Sequence, residues 1–177
     1  MSTGGMSRRL VDFAYSLVGH LTGGLGAVAI LGSSFFAALS GSNAATVAAI
    51  GGVMNKPMEE KGYRPQYTAA TIAAAGVTGM IIPPSILLIL YGVVTGVSIA
   101  DLFLAGLFPG ILICISLLLL NRYLSNREAI ERTDFQGASE IWRTFKRAFW
   151  PLLMPVIILS GIYGGVFTPT EAAIVAT

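Results

Sequence analysis

The sequence predicts an all-α integral membrane protein, and this prediction rests on its composition and on the placement of its charges. Of the 177 residues, 54% are hydrophobic and only 11% are charged, whereas soluble domains carry charge on about 25% of their residues. A helix that spans a bilayer needs roughly 20 apolar residues. Four stretches without Asp, Glu, Lys or Arg reach or exceed that length: residues 13–55, 65–100, 102–121 and 148–170.

Composition also excludes several classes of function. The net charge is +2, and no basic stripe interleaved with aromatic residues indicates a nucleic-acid surface. The single cysteine, Cys114, and the single histidine, His20, exclude a disulfide framework and a metal cluster built from these residue types. An intramembrane enzyme would need paired acid, base or nucleophile groups, and the charge-free stretches offer none. We therefore expect no enzyme and no bound cofactor.

Residues 10–22 have the pattern of a short amphipathic helix. Apolar side chains recur at helical spacing, from Leu10 through Phe13 and Leu17 to Leu21. The segment is too short and too polar to span a membrane, so we predict an interfacial helix that lies along the membrane plane.

Residues 24–54 are apolar except for a polar centre, Ser40-Gly41-Ser42-Asn43. The apolar arms on either side have about 15 and about 11 residues and reach roughly 23 and 17 Å as helices, less than the hydrocarbon thickness of about 30 Å. The stretch is therefore either one long helix with a polar middle or a re-entrant hairpin. A simple turn outside the membrane is the remaining alternative, because these residue types favour turns anywhere.

A second interruption falls in residues 66–97. Pro83 and Pro84 remove two backbone donors and disfavour helix in the residues that precede them. We predict a broken transmembrane helix with half-helices at 66–81 and 86–97; the alternative for the prolines is a structural kink without a ligand role.

Toward the C-terminus, the sequence predicts transmembrane helices at 102–121 and 148–166, a cytoplasmic loop at 122–147 and the start of another element at 168–177. Within the predicted loop, Arg143, Lys146 and Arg147 are placed to contact anionic lipid headgroups as well as water.

The eleven Lys and Arg residues form three clusters, at 8–9, 56–64 and 122–147. Basic loops face the cytoplasm, and all three clusters lie on that side if residues 13–55 begin and end there. A re-entrant hairpin at 24–54 meets this condition, whereas a single long span does not. Two very short spans would also meet it, but each arm is too short.

Interrupted helices inside a membrane point to transport. Non-helical backbone is tolerated at that depth only where protein buries it or where it lines a cavity. In transporters, the N–H ends of broken helices favour anionic groups, and free carbonyl ends coordinate Na⁺. The side-chain oxygens of Ser40, Ser42, Asn43 and Ser85 are hard ligands that suit Na⁺.

Four segments together resemble the DctM-like large membrane subunit of TRAP transporters. They are residues 4–13 (GGMSRRLVDF), 35–46 (FFAALSGSNAAT), 82–85 (IPPS) and 165–173 (GVFTPTEAA). Members of that family are much longer, so the chain resembles their middle part: most of the first inverted repeat and the start of the second. Because Thr177 ends the chain within an apolar run, we expect a fragment or an incomplete reading frame.

The resemblance implies an elevator-type secondary transporter of the bacterial or archaeal cytoplasmic membrane. It implies import of organic anions such as C4-dicarboxylates, other carboxylates or sialic acids, driven by Na⁺. The implied partners are a small membrane subunit and an extracytoplasmic substrate-binding protein. The alternative is a non-transporting membrane scaffold or a truncated remnant of such a permease.

The family motifs also imply where the substrate and ions bind. The polar centre of 24–54 becomes the tip of the first hairpin, the break in the next helix faces it, and residues 168–171 belong to the second repeat. Thr168 and Glu171 also have the spacing of a capping box. The implied substrate- and ion-binding residues are Ser40, Gly41, Ser42, Asn43, Pro83, Pro84, Ser85, Thr168, Thr170 and Glu171.

Overall fold

A computed structural model describes residues 5–127 and 137–164 of the chain. The described part is all-helical, as predicted. Its helices are α1 (Met6–Val18), α2 (Gly24–Ser40), α3 (Asn43–Glu60), α4 (Pro65–Gly76), α5 (Thr78–Ile81), α6 (Ile86–Thr95), α7 (Ile99–Arg127) and α8 (Ala138–Tyr163). Within the described ranges, three segments are long and apolar enough to cross a membrane: the interrupted helix Pro65–Thr95, then Ile99–Asn126 and Ala138–Tyr163.

Helix α2 lies at the centre of the fold. It packs against α1, α3, α4, α5, α7 and α8, so most of its circumference is buried. Small side chains make this possible, because Gly, Ala and Ser allow neighbouring helix backbones to approach closely. The buried residues of α2 are Gly24, Gly26, Ala27, Val28, Ala29, Ile30, Gly32, Ser33, Ser34, Phe36 and Ala37.

An aromatic cluster joins α1, α2 and α8. The ring of Phe13 stacks on Phe35, with 5.7 Å between ring centroids, and contacts Phe145 at the same distance. Beside these rings, the hydroxyl groups of Ser16 and Thr144 are hydrogen-bonded at 2.8 Å. The apolar face of α1 therefore packs against protein along much of its length.

A polar network fixes the start of α2 to α4 and α7. The hydroxyl of Tyr67 donates to Asn121 Oδ1 at 2.6 Å, and Asn121 Nδ2 donates to the carbonyl oxygen of Gly23 at 3.1 Å. Nearby, burial raises the pKa of Tyr63 to about 12, an effect that backbone hydrogen bonding with Gly26 and Leu25 partly opposes. A network whose members satisfy one another specifies a single packing of these helices.

The first helix begins and ends four residues earlier than the predicted 10–22. It starts at Met6 and ends at Val18, after which the Gly19 N–H donates to the carbonyl oxygen of Tyr15 at 2.8 Å. Ser7, Leu10 and Ala14 are buried on its inner face. Its location at the membrane interface stays a prediction.

The predicted loop at 122–147 is largely helical where the structure describes it. Residues 122–127 continue α7, and residues 138–147 form the first part of α8. A helix does not have to stop where apolar residues end, since exposed Lys and Arg are good helix formers. Residues 128–136 and the predicted element at 168–177 lie outside the described residues.

Helix α7 also begins earlier than predicted, at Ile99 instead of residue 102. Ser98 explains the difference, because its hydroxyl oxygen accepts a hydrogen bond from the Asp101 N–H at 3.3 Å. Such a bond satisfies one of the otherwise unpaired donors of the first turn.

The close packing of α2 on α7 predicts the effect of adding one methyl group. A Cβ at Gly26 would overlap Asn121 Oδ1, so we expect Gly26→Ala to lower stability by about 1–3 kcal/mol through overpacking. Gly52 also lies within a helix but has open space around its Cβ position, and Gly52→Ala should raise stability by up to about 1 kcal/mol. Thermal unfolding in detergent measures both, and an equal gain in the two variants would contradict this packing.

Candidate functional site

The polar centre of the first apolar stretch is a tight turn between two packed helices. Helix α2 ends at Ser40, and Gly41 follows with φ 58°, its N–H donating to the carbonyl oxygen of Ala37 at 2.9 Å. Ser42 is extended and caps α3. Because α2 and α3 lie against each other, the interpretation as one long helix with a polar middle is wrong. The pair forms a helical hairpin, and its re-entry into a bilayer stays a prediction.

The second interruption lies at Ile82–Ser85, between the end of α5 and the start of α6. Pro83 is fully buried, the Pro83–Pro84 bond is cis, and the Ser85 hydroxyl donates to the carbonyl oxygen of Met80 at 2.6 Å. This bond satisfies an acceptor that the end of the half-helix would otherwise leave free.

The first half-helix contains an additional irregularity that the sequence analysis missed. Helix α4 ends at Gly76 and α5 starts at Thr78, where a continuous helix over 66–81 is predicted. The Thr78 hydroxyl donates to the carbonyl oxygen of Ala75 at 2.6 Å. Side-chain bonds of this kind compete with the helical backbone pattern and favour local irregularity.

The two interruptions meet directly. The N–H of Ile86, in the first turn of α6, donates to the carbonyl oxygen of Gly41 in the hairpin turn at 3.2 Å. A Cβ on Gly41 would lie 2.7 Å from the carbonyl oxygen of Pro84. The hairpin turn therefore supplies an acceptor to the broken helix, and only glycine fits at the point of contact.

Two hydroxyl side chains, those of Ser40 and Thr46, cluster behind the turn. The Ser40 and Thr46 hydroxyl oxygens are 3.1 Å apart, and the Thr46 hydroxyl donates to the carbonyl oxygen of Ser42 at 2.8 Å. Thr46 is fully buried and was missed in the sequence analysis. Its signal was the four-residue spacing from Ser42, which places both residues on one face of a helix. Gly79 lies so close to the turn that an added Cβ would be 2.8 Å from the carbonyl oxygen of Ser42.

Asn43 carries a buried oxygen with unused hydrogen-bonding capacity. Its Oδ1 atom has no hydrogen-bond partner within the described residues. Gly76 of α4 approaches it so closely that an added Cβ would lie 2.5 Å from this oxygen. Buried polar atoms are nearly always paired, so an orphaned acceptor needs an explanation such as an ion or a ligand.

A cleft of about 240 Å³ opens where the two helices begin. The first turn of a helix leaves backbone N–H groups without an intrahelical acceptor, and here the first turns of α3 and α6 face one cleft. The side chains that line it carry no formal charge. The lining residues are Gly41, Ser42, Asn43, Ala44, Met80, Ile86 and Leu87.

The structure thus brings together most of the predicted site. Gly41, Ser42 and Asn43 line the cleft, whereas Ser40, Pro83, Pro84 and Ser85 do not. Pro83 and Ser85 are fully buried. Thr168, Thr170 and Glu171 lie outside the described residues. Within the described part of the chain, His, Cys, Asp and Glu form no metal-binding group. The described residues around the turn offer a cation hydroxyl, amide and backbone oxygens.

Comparisons with known proteins agree with the resemblance. Residues 1–177 match the family described as Tripartite ATP-independent periplasmic transporter, DctM component. The chain is 43% identical over 99% of its length to the C4-dicarboxylate TRAP transporter large permease protein of Vibrio cholerae. It is 41% identical over 99% to the sialic acid TRAP transporter permease protein of Haemophilus influenzae. It is 42% identical over 99% to the 2,3-diketo-L-gulonate TRAP transporter large permease protein of Escherichia coli.

The matches cover only part of these relatives. The chain spans 39%, 29% and 41% of the Vibrio, Haemophilus and Escherichia proteins, respectively. It therefore corresponds to less than half of each relative.

Two glycines with similar backbone conformations test the contact between the turn and the break. Gly41 (φ 58°) is pressed against Pro84, whereas Gly62 (φ 80°) has open space around its Cβ position. In both alanine variants the left-handed backbone conformation should lower the free energy of unfolding by about 1–2 kcal/mol. Gly41→Ala should lower it by about 1–3 kcal/mol more, because the added Cβ clashes with the Pro84 carbonyl oxygen.

Thermal unfolding and hydrogen exchange at the Ile86 amide measure the difference. We expect faster exchange at Ile86 only in Gly41→Ala. Equal stability and equal exchange in the two variants would show that the turn does not support the break.

Proposed function

The chain belongs to the DctM family of tripartite ATP-independent periplasmic transporters, and from this premise we propose that it is part of a permease that imports organic anions together with Na⁺. Relatives are named for C4-dicarboxylate, sialic acid and 2,3-diketo-L-gulonate transport. Each of these compounds carries at least one carboxylate. A multi-pass membrane chain with three apolar spanning segments suits this role.

The proposal that the substrate is an anion rests on two helix N-termini that meet at one cleft. Each helix N-terminus behaves as about half a positive charge and stabilises an anionic group by roughly 0.3–1 kcal/mol, and by up to about 2 kcal/mol where it is partly buried. The starts of α3 and α6 both line the cleft. A carboxylate in this cleft would accept hydrogen bonds from first-turn N–H groups without a basic side chain.

Oxygen atoms around the hairpin turn support the proposal for Na⁺. The orphaned Asn43 Oδ1 is at the start of α3, the hydroxyls of Ser40 and Ser42 flank Gly41 of the turn, and Ser85 directly precedes Ile86. Neutral oxygen ligands suit hard cations. A bound Na⁺ beside the carboxylate would offset the negative charge of the substrate, which makes the binding of one depend on the other.

The other features of the proposal follow from the family. We place the permease in the cytoplasmic membrane of a bacterium or archaeon, with a small membrane subunit and an extracytoplasmic substrate-binding protein as partners. We propose that the hairpin re-enters the bilayer and moves as part of an elevator. The side of the cleft formed by Ile86 and Leu87 is exposed, at 58% and 50% respectively, which leaves room for the rest of a longer protein to complete the site.

Two asparagines of α3 test the cation site. Asn43→Ala removes the orphaned oxygen, and we expect uptake to require at least about tenfold more Na⁺ for half-maximal rate, with normal membrane insertion. Asn55 lies on the same helix but is exposed, so Asn55→Ala should leave the Na⁺ dependence unchanged. Unaltered Na⁺-dependent uptake in a Ser42→Ala/Asn43→Ala double variant of the full-length protein would contradict the assignment of the site.

The substrate class is tested by uptake across a panel of carboxylates. We expect the full-length protein with its partners to accumulate at least one member of the panel only when Na⁺ is present. Uncharged amide analogues of the same compounds should not be accumulated, because the helix starts would gain no favourable charge interaction. Normal insertion without uptake of any carboxylate would favour a scaffold instead.

A further inference from the structure

A cationic cleft lies between α1 and α8, outside the site described above. Arg8 and Arg9 of α1 and Lys146 and Arg147 of α8 line a cleft of about 460 Å³, with Asp12 as the one acidic residue in its lining. All four basic side chains are exposed. Four positive charges and one negative charge around one concave surface favour an anionic occupant.

Neighbouring charges do not neutralise this cleft within the described part of the chain. Arg143, the remaining basic residue of this segment of α8, forms an ion pair with Glu140 at 2.7 Å. By contrast, Arg8, Arg9 and Arg147 have no ion-pair partner among the described residues, and Lys146 lies over the Trp142 ring at 5.3 Å from its centroid. Among the described residues, the lining of the cleft therefore carries a net positive charge.

An apolar groove adjoins the cationic cleft. It has a volume of about 430 Å³ and shares Arg9 and Trp150 with the cleft. The rest of its lining is apolar: Met6, Pro151, Leu153, Met154 and Ile157. One continuous concave surface thus has a strongly basic part and an apolar part, which matches a molecule with an anionic head and a hydrocarbon tail.

The position of this surface along α8 matches the edge of a bilayer. Arg147 is the last charged residue of α8, and residues 148–163 carry no charge. Trp150 is 72% exposed and Trp142 is 60% exposed, and tryptophan is enriched at the level of the lipid headgroups. This pattern predicts that the cleft lies at headgroup depth and that the groove follows α8 into the hydrocarbon.

We propose that the cleft and the groove together bind one anionic phospholipid of the bilayer. Its phosphate lies among Arg8, Arg9, Lys146 and Arg147, where guanidinium groups donate paired hydrogen bonds to phosphate oxygens. One acyl chain lies along Leu153, Met154 and Ile157. A zwitterionic lipid binds more weakly, because its ammonium group meets four cations. The bound lipid bridges α1 and α8 and stabilises their packing.

Lipid binding to the purified full-length protein tests the proposal. Phosphatidylglycerol and phosphatidylcholine of equal chain length are titrated into detergent-solubilised protein, and bound lipid is counted by native mass spectrometry. We expect phosphatidylglycerol to bind at least about tenfold more tightly. Arg9→Gln/Arg147→Gln should weaken its binding at least about tenfold. Lys56→Gln/Lys61→Gln, which removes two exposed cations at the C-terminal end of α3, should change it less than about twofold.

Further experiments distinguish binding of a lipid from binding of free phosphate, and distinguish lost binding from misfolding of a variant. Inorganic phosphate at millimolar concentration should not displace phosphatidylglycerol. Met154→Trp keeps every cation and fills the groove, so it should weaken binding several-fold even if the double arginine variant fails to fold. Arg9→Lys/Arg147→Lys should retain most of the binding. Equal binding of the two lipids, equal loss in the two double Gln variants, or displacement by inorganic phosphate would overturn the proposal.

Discussion

The hydrogen bond from the Ile86 N–H to the Gly41 carbonyl oxygen, 3.2 Å long, is the constraint that ties the hairpin turn to the broken helix. A chain in a bilayer cannot leave backbone groups unpaired, because no water is present to satisfy them. Two apolar segments of this protein are interrupted, and a backbone N–H at one interruption donates to a backbone carbonyl oxygen at the other. The arrangement holds the starts of α3 and α6 at one cleft, and it requires the hairpin and the broken helix to stay in register.

Small residues make that register possible. Gly41, Gly76 and Gly79 each lie where a Cβ would press on Pro84, Asn43 or Ser42, so backbones meet at distances that larger side chains would prevent. The same device places α2 at the centre of the fold, where it contacts six other helices. Around α2, close backbone contacts and buried hydroxyl groups add to the packing of large apolar side chains such as Leu10, Ile50 and Met54.

Charge is kept away from the cleft and concentrated elsewhere. The lining of the cleft is neutral, so anion binding there would use helix starts and the coupled cation in place of arginine. Arg8, Arg9, Lys146 and Arg147 gather at the other surface, between α1 and α8. Removing water from a neutral cleft costs little free energy, whereas a buried arginine would need a permanent anionic partner. Basic residues at headgroup depth stay solvated and meet lipid phosphates instead.

The sequence by itself determined the helical class, the spanning segments and both interruptions. Charge-free length and the residues Ser40 to Asn43 and Pro83 to Pro84 are local signals, and local signals can be read without knowing the fold. Helix ends were predicted less well, as at α1, α7 and α8, because capping by Ser98 and helical extension of 122–127 and 138–147 do not depend on hydrophobicity. The tertiary structure alone decided that Gly79 and Met80 join the site, whereas Thr46 had a local signal in its spacing from Ser42. It also decided that Arg8 and Arg9 meet Lys146 and Arg147, because residues more than a hundred positions apart are brought together only by helix packing.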